Sequence, residues 1–118
     1  MPPKPPYYAV IFSSRRNAEA DEVYATTSQD MFTLASQQPG YLGHESARDS
    51  ESRQGITVTY WDSLDNIKRW KTHAEHVIVQ KMGRDVFYEE YQVKVAKVER
   101  EYRWTKSDNA AGSKVAEQ

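Results

Sequence analysis

Two short uncharged runs set the strongest limit on what this chain can fold into. Tyr7 to Ser14 (YYAVIFSS) and Ile56 to Trp61 (ITVTYW) are rich in aromatic and β-branched residues, and both predict strands. Successive side chains of a strand point to opposite faces. Along the first run Tyr8, Val10 and Phe12 share one face, and Tyr7, Ala9 and Ile11 share the other. Neither face is polar, so a sheet built on these strands needs cover on both sides.

The rest of the chain supplies cover for one side. Asn17 can cap a helix whose first turn holds Glu19, Asp21 and Glu22, where the helix dipole favours anions. Ala20, Val23, Tyr24, Thr27, Met31, Leu34 and Ala35 recur at three- and four-residue steps, and Gln38-Pro39-Gly40 ends the helix. Tyr41 to Arg48 reads as a second strand, weakened by Gly43, and Asp49 to Gly55 as a hairpin loop before Ile56. Ser63 caps a second helix from Leu64. Thr72-His73-Ala74-Glu75 has the form of a capping box, which predicts a kink or a fresh start near Thr72 and a second half to about Met82. Lys81 and Gly83 close it. Val86 to Trp104 then reads as one long extended stretch.

The order β-α-β-β-α-β, with a tight hairpin at its centre, is that of the α+β ferredoxin-like sandwich. Right-handed crossovers put both helices on one face of a four-stranded antiparallel sheet. The other face is left apolar, and the simplest cover for it is a second copy packed sheet against sheet about a two-fold axis. The surplus end of the last strand, near Val98 to Trp104, is long enough to cross to that copy. The expectation is a homodimer formed through the sheet face and the last strand.

At 118 residues the chain suits one domain. Its expected span is 7–104, after a Pro-rich leader at 1–6 and before a polar tail at 105–118 that is expected to be disordered. A formal charge of -1 provides no field for nucleic acid or a membrane surface. The absence of Cys removes disulfides, thiolate metal sites and Cys nucleophiles. No apolar run approaches the roughly 20 residues that span a bilayer, and a cytoplasmic location is expected. Phosphate loops, nucleophile elbows and HExxH are missing from the sequence.

Chemistry-bearing side chains gather between Tyr60 and Gln80. Ile67, Trp70, Ala74, Val77 and Ile78 fit one helical stripe, which places Trp70 against the sheet. His73 and His76 stand three apart, near each other on the helix surface. Adding His44 makes three imidazoles, but H-x-x-H alone is too short a motif to assign a metal. For His44 the expectation is a half-buried ring bonded across the sheet. Tyr60 and Trp61 must face opposite ways, one toward the helices and the other away, and spacing leaves the choice open.

YYAVIF, the strand ending in YWDS, the segment WKTHAEH and the final YQVKVAKVEREYRW resemble the antibiotic biosynthesis monooxygenase superfamily, and a small uncharacterised bacterial branch most of all. The resemblance covers about residues 7–104. It implies a dimeric α+β barrel in which each subunit holds a pocket between helices and sheet. Some members of the superfamily degrade haem, using an Asn on the first strand, a Trp on the second helix, and a His ten residues after that Trp. Trp70 matches the Trp, but position 80 is Gln80, and the first strand has Phe12, Ser13 and Ser14 with no Asn.

The resemblance therefore implies a monooxygenase that needs no cofactor and acts on a small aromatic or quinol-type molecule. Trp70, His73 and His76 are its expected catalytic residues, with His76 handling protons. Phe12, Ser13, Tyr60, Trp61, Val77 and Gln80 are the expected ligand contacts. The alternatives are a non-catalytic protein that binds haem or another apolar small molecule, and a haem-degrading enzyme with a non-standard ligand.

Overall fold

A computed structural model describes residues 4–16, 31–81, 88–106 and 116–117, apart from the side chains of 76–81, 88 and 116–117. The two uncharged runs are strands. β1 spans Tyr7–Arg16, and β3 spans Gln54–Trp61. Helical residues 31–36 (α1) lead through a turn into β2, Tyr41–Arg48. α2 covers Leu64–Lys81, and β4 covers Tyr88–Val98. Two short strands follow, β5 at Tyr102–Arg103 and β6 at Ala116–Glu117.

The sheet order is β2-β3-β1-β4, and every neighbouring pair is antiparallel. This is the expected ferredoxin-like α+β architecture, with the two uncharged strands at its centre. Register sorts the side chains into two faces. Tyr8 lies opposite Trp61 and Lys97, Val10 opposite Thr59 and Val95, and Phe12 opposite Thr57 and Val93. Trp61 stacks on Trp70 of α2, and His44, paired with Thr59, stacks on Phe32 of α1, which identifies this as the helix face. Tyr7, Ala9, Ile11, Ser13, Tyr60 and Ile56 occupy the open face.

Among the described residues, the buried apolar side chains gather at one end of the sheet. Trp61, Ile67 and Ala35 close the helix side, and Trp61 has no exposed surface. Removing a buried ring of that size would cost about 3–5 kcal/mol. On the open face Tyr7 and Ala9 are also buried. The Tyr7 ring meets Tyr60 edge-on at 5.7 Å, and its hydroxyl donates to Glu101 Oε1 at 2.8 Å.

Four expectations need correction or qualification. α2 runs without interruption through Thr72, because the Thr72 hydroxyl donates back to the Lys68 carbonyl at 3.2 Å instead of capping a new start. The hairpin loop ends at Arg53, two residues before Gly55, because β3 begins at Gln54. Arg53 takes the left-handed conformation (φ 64°), while Gly55 lies within β3 under the Arg48 guanidinium. The long final stretch breaks after Val98, where Glu99, Arg100 and Glu101 leave the ladder and Glu101 returns to Tyr7 of the same chain. Ala116–Glu117, within the tail expected to be disordered, pairs with Tyr102–Arg103. The cap proposed at Asn17 and the Gly83 stop lie outside the described residues.

Candidate functional site

The site is built where β3 hands over to α2. Trp61 ends β3, Asp62 and Ser63 turn the chain, and Ser63 caps the helix by accepting the Asn66 N–H at 3.2 Å. Gly40, from the turn after α1, approaches this corner and accepts the Asp62 N–H at 2.9 Å. α2 then passes back over the sheet with Ile67 buried, Trp70 and Ala74 half-buried, and Lys71, Thr72 and His73 exposed. The apolar stripe of α2 thus brings Trp70 onto Trp61, with ring centroids 6.0 Å apart and planes 25° apart. His73 lies one turn along, its ring centred 5.8 Å from that of Trp70.

β2 adds a part that side-chain alternation does not predict. In a regular strand Tyr41 and His44, three apart, would face opposite ways. Here the ladder slips between Tyr41 and Gly43, leaving Leu42 as an extra residue. Tyr41 therefore lies opposite Trp61 and His44 opposite Thr59, on the same face. Tyr41 hydroxyl and His44 Nδ1 are hydrogen-bonded, and the Tyr41 ring meets Trp61 edge-on at 5.8 Å. Phe32 lies flat on the other side of His44, 4.2 Å away at 7°. His44 is exposed and bonded within its own strand, not half-buried and bonded across the sheet as expected. The one sequence signal for this geometry was Gly43, since a Gly inside a strand often marks a bulge.

Electrostatics follow the burial. Burial raises the Tyr41 phenol above its ordinary range, so it stays protonated and can donate. On the open face, burial followed by the hydrogen bond to Glu101 pushes Tyr7 up to about 12. Tyr60 is raised by burial and by the Glu45 carboxylate, to which it donates at 3.2 Å.

The sequence-derived candidates separate by face. Trp61, Trp70 and Phe12 lie on the helix side, and His73 borders Trp70. Phe12 sits farther along the sheet, stacked on Tyr91 at 5.4 Å. Tyr91, Val93 and Val95 of β4, on the same face, keep 43%, 44% and 51% of their surface exposed. Ser13 and Tyr60 lie on the open face, away from the helices, which settles the orientation of the Tyr60–Trp61 pair. The side chains of His76, Val77 and Gln80 lie outside the described residues. Among the described residues no three metal-ligating side chains cluster. The helix face of β1 presents Phe12 and a buried Ser14 hydroxyl without a partner, with no amide, while Trp70 packs on Trp61. These residues do not fit the haem-degrading pattern.

A four-stranded antiparallel sheet with helices on one face and an aromatic wall between them defines a small α+β domain of the ferredoxin-like kind. A family model described as antibiotic biosynthesis monooxygenase matches residues 6–81, and the chain belongs to that family. It is 50% identical over 107 residues to an uncharacterized protein, YqjZ, of Bacillus subtilis (strain 168), covering 91% of this chain and 92% of that one. It is 30% identical over 94 residues to Jasmonate monooxygenase ABM of Pyricularia oryzae. That match covers 77% of this chain but 43% of the relative, so the chain spans less than half the fungal protein. Among solved structures, SnoaB, a cofactor-independent oxygenase from Streptomyces nogalater, superposes with a TM-score of 0.65 at 12% identity, over 86% of this chain and 98% of that one. A putative antibiotic biosynthesis monooxygenase from Nitrosomonas europaea gives 0.67 at 9% identity, over 83% and 95%. Identities this low bear on the fold alone.

Proposed function

We propose that this protein is a cofactor-independent monooxygenase that oxidises a small planar aromatic or quinol-type substrate held between the helices and the sheet. The observation that supports the reading is the partly exposed apolar pair Val93 and Val95, which adjoins Phe12 on the same face as the Trp61–Trp70 wall. Apolar surface left open beside stacked aromatic rings suits a flat apolar ligand. Membership of the family and the monooxygenase name of the Pyricularia oryzae relative favour oxygenation over simple binding.

In this reading His76, with His73 beside it, removes a proton from an activated C–H or O–H of the substrate. The resulting anion is electron-rich enough to reduce dioxygen directly and form a C–O bond. The imidazolium returns its proton to the peroxide anion, and the imidazole then removes the second hydrogen from the same carbon as the O–O bond breaks, leaving a carbonyl; that proton joins the departing hydroxide as water. One oxygen atom stays in the product, and the other leaves as water. The protein's share is to exclude solvent and donate hydrogen bonds to developing negative charge.

Oxygen uptake with a panel of anthrones and hydroquinones tests the proposal. Turnover should fall about 100-fold or more in the His73→Ala/His76→Ala variant, the ordinary scale of general-base loss. Unchanged uptake in that variant would remove the histidines from the mechanism. A ligand that quenches tryptophan fluorescence without oxygen uptake would instead make the protein a binder. We further propose that two copies pair through the open sheet face, where Ile56 remains 52% exposed.

A further inference from the structure

We propose that Trp70, Trp61 and Tyr41 form an electron relay ending at the surface pair Tyr41–His44. An oxidising equivalent arriving at the helix side of the sheet would be drained to a tyrosine radical at β2. The relay rests on ring geometry and two hydrogen bonds and goes beyond the monooxygenase reading.

The rings form a continuous series. Trp70 and Trp61 are 6.0 Å apart between centroids, and Trp61 and Tyr41 are 5.8 Å apart, which places neighbouring ring edges in contact. Electron tunnelling weakens steeply with distance, and contact between rings makes each hop short. The chain has no Cys, so Trp and Tyr are its most easily oxidised side chains. Trp61 has no exposed surface, whereas Trp70 and Tyr41 are partly open at either end.

Proton positions give the relay a direction. The Trp61 Nε1–H donates to Thr59 Oγ1 at 2.8 Å, and a neutral hydroxyl is a poor base. An oxidised Trp61 therefore keeps its proton and remains a strong oxidant, able to pass the hole onward. Tyr41 differs, because its hydroxyl is bonded to His44 Nδ1. With the imidazole proton on Nε2, Nδ1 can take the phenol proton as the electron leaves. One electron moves from Tyr41 through Trp61 to oxidised Trp70, and one proton moves from Tyr41 to His44. The result is a neutral tyrosyl radical beside an imidazolium. A thiol or ascorbate then returns the electron, and the His44 imidazolium returns the proton to the Tyr41 oxygen, which restores both side chains. The initial oxidant belongs to the class of one-electron oxidants, such as organic peroxyl radicals. The bulge at Leu42 is what brings Tyr41 and His44 together on the side of Trp61.

The test uses light so that it does not depend on turnover. Arg69 is exposed on α2 next to Trp70, and in a chain without Cys an Arg69→Cys substitution provides a single thiol. A ruthenium polypyridyl maleimide attached there and quenched oxidatively after a laser flash delivers one hole. The expected transient is a tryptophanyl absorbance that decays into a tyrosyl signal. In Tyr41→Phe the tyrosyl signal should vanish and the tryptophanyl signal persist. His44→Phe, which keeps a ring against Phe32 but removes the proton acceptor, should lose it as well. Trp61→Phe should block transfer from Trp70, with circular dichroism confirming the fold. An undiminished tyrosyl signal in Tyr41→Phe or in folded Trp61→Phe would overturn the relay.

Discussion

Gly40 holds a left-handed conformation (φ 84°) at the point where the α1 turn meets the start of α2. A Cβ there would lie 2.3 Å from Asp62 Oδ1 and 2.4 Å from Asn66 Nδ2, two atoms hydrogen-bonded to each other at 2.8 Å. Gly40→Ala should therefore lose about 2–3 kcal/mol, combining left-handed strain with the broken corner. Urea denaturation would check this, and a loss below about 0.5 kcal/mol would mean the corner yields freely. Tyr7 gives a prediction in pH. Its phenol is pushed from 10.0 up to about 12 in the folded chain, by burial first and then by its bond to Glu101. Below about 10 both folded and unfolded chains keep the proton, so the contribution is intact. Between about 10 and 12 the unfolded chain alone releases it, and stability falls as pH rises through that window. Tyr7→Phe should cost about 1 kcal/mol at neutral pH for the lost hydrogen bond, and should also flatten the alkaline fall. Stability curves of both proteins from pH 8 to 12 decide it, and parallel curves would contradict the assignment.

At the scale of elements, α2 separates two kinds of hydroxyl. The Ser63 side chain accepts the Asn66 N–H at the helix start, so Ser63→Ala should cost about 1 kcal/mol. Thr72 lies inside the continuous helix and donates to the Lys68 carbonyl, so Thr72→Ala should be neutral or slightly stabilising. Were Thr72 a cap, the two losses would match in thermal unfolding. The contrast shows what the sequence could convey. β1 and β3 were legible because six or more consecutive residues favoured extension, and the Ser63 start was legible because a cap is a local event. Thr72-His73-Ala74-Glu75 has the local form of a cap as well, yet Trp70 and Ala74, half-buried on either side of Thr72, belong to one apolar stripe, and the helix runs through the segment unbroken. Trp70 was legible as a sheet-facing residue from its stripe. Tyr41 and Phe32 were not, because their place in the wall depends on a one-residue slip of β2 against β3 and on the approach of α1, both tertiary facts. The faces of Ser13 and Tyr60 likewise required the register.

For the molecule as a whole, the open sheet face makes the decisive demand. Tyr7 and Ala9 are already covered at one end, near Glu101, but Ile56 at the other end remains 52% exposed beside Ser13 and Ala47, its register partners. Both helices lie on the far side, so nothing described in the chain shields this end. Pairing two such faces would remove apolar surface from water at about 25 cal/mol per Å². Sedimentation equilibrium at micromolar concentration should accordingly report twice the 13.7 kDa chain mass. Ile56→Glu offers the sharper test, because a half-exposed strand residue tolerates a carboxylate in the isolated subunit, whereas a dry interface must desolvate two of them across the two-fold axis. The variant should sediment as a monomer while retaining its far-ultraviolet dichroism. If it stays dimeric, the copies meet elsewhere, and the exposed strip of Val93 and Val95 on the helix side becomes the surface that must be explained by a partner rather than by a substrate.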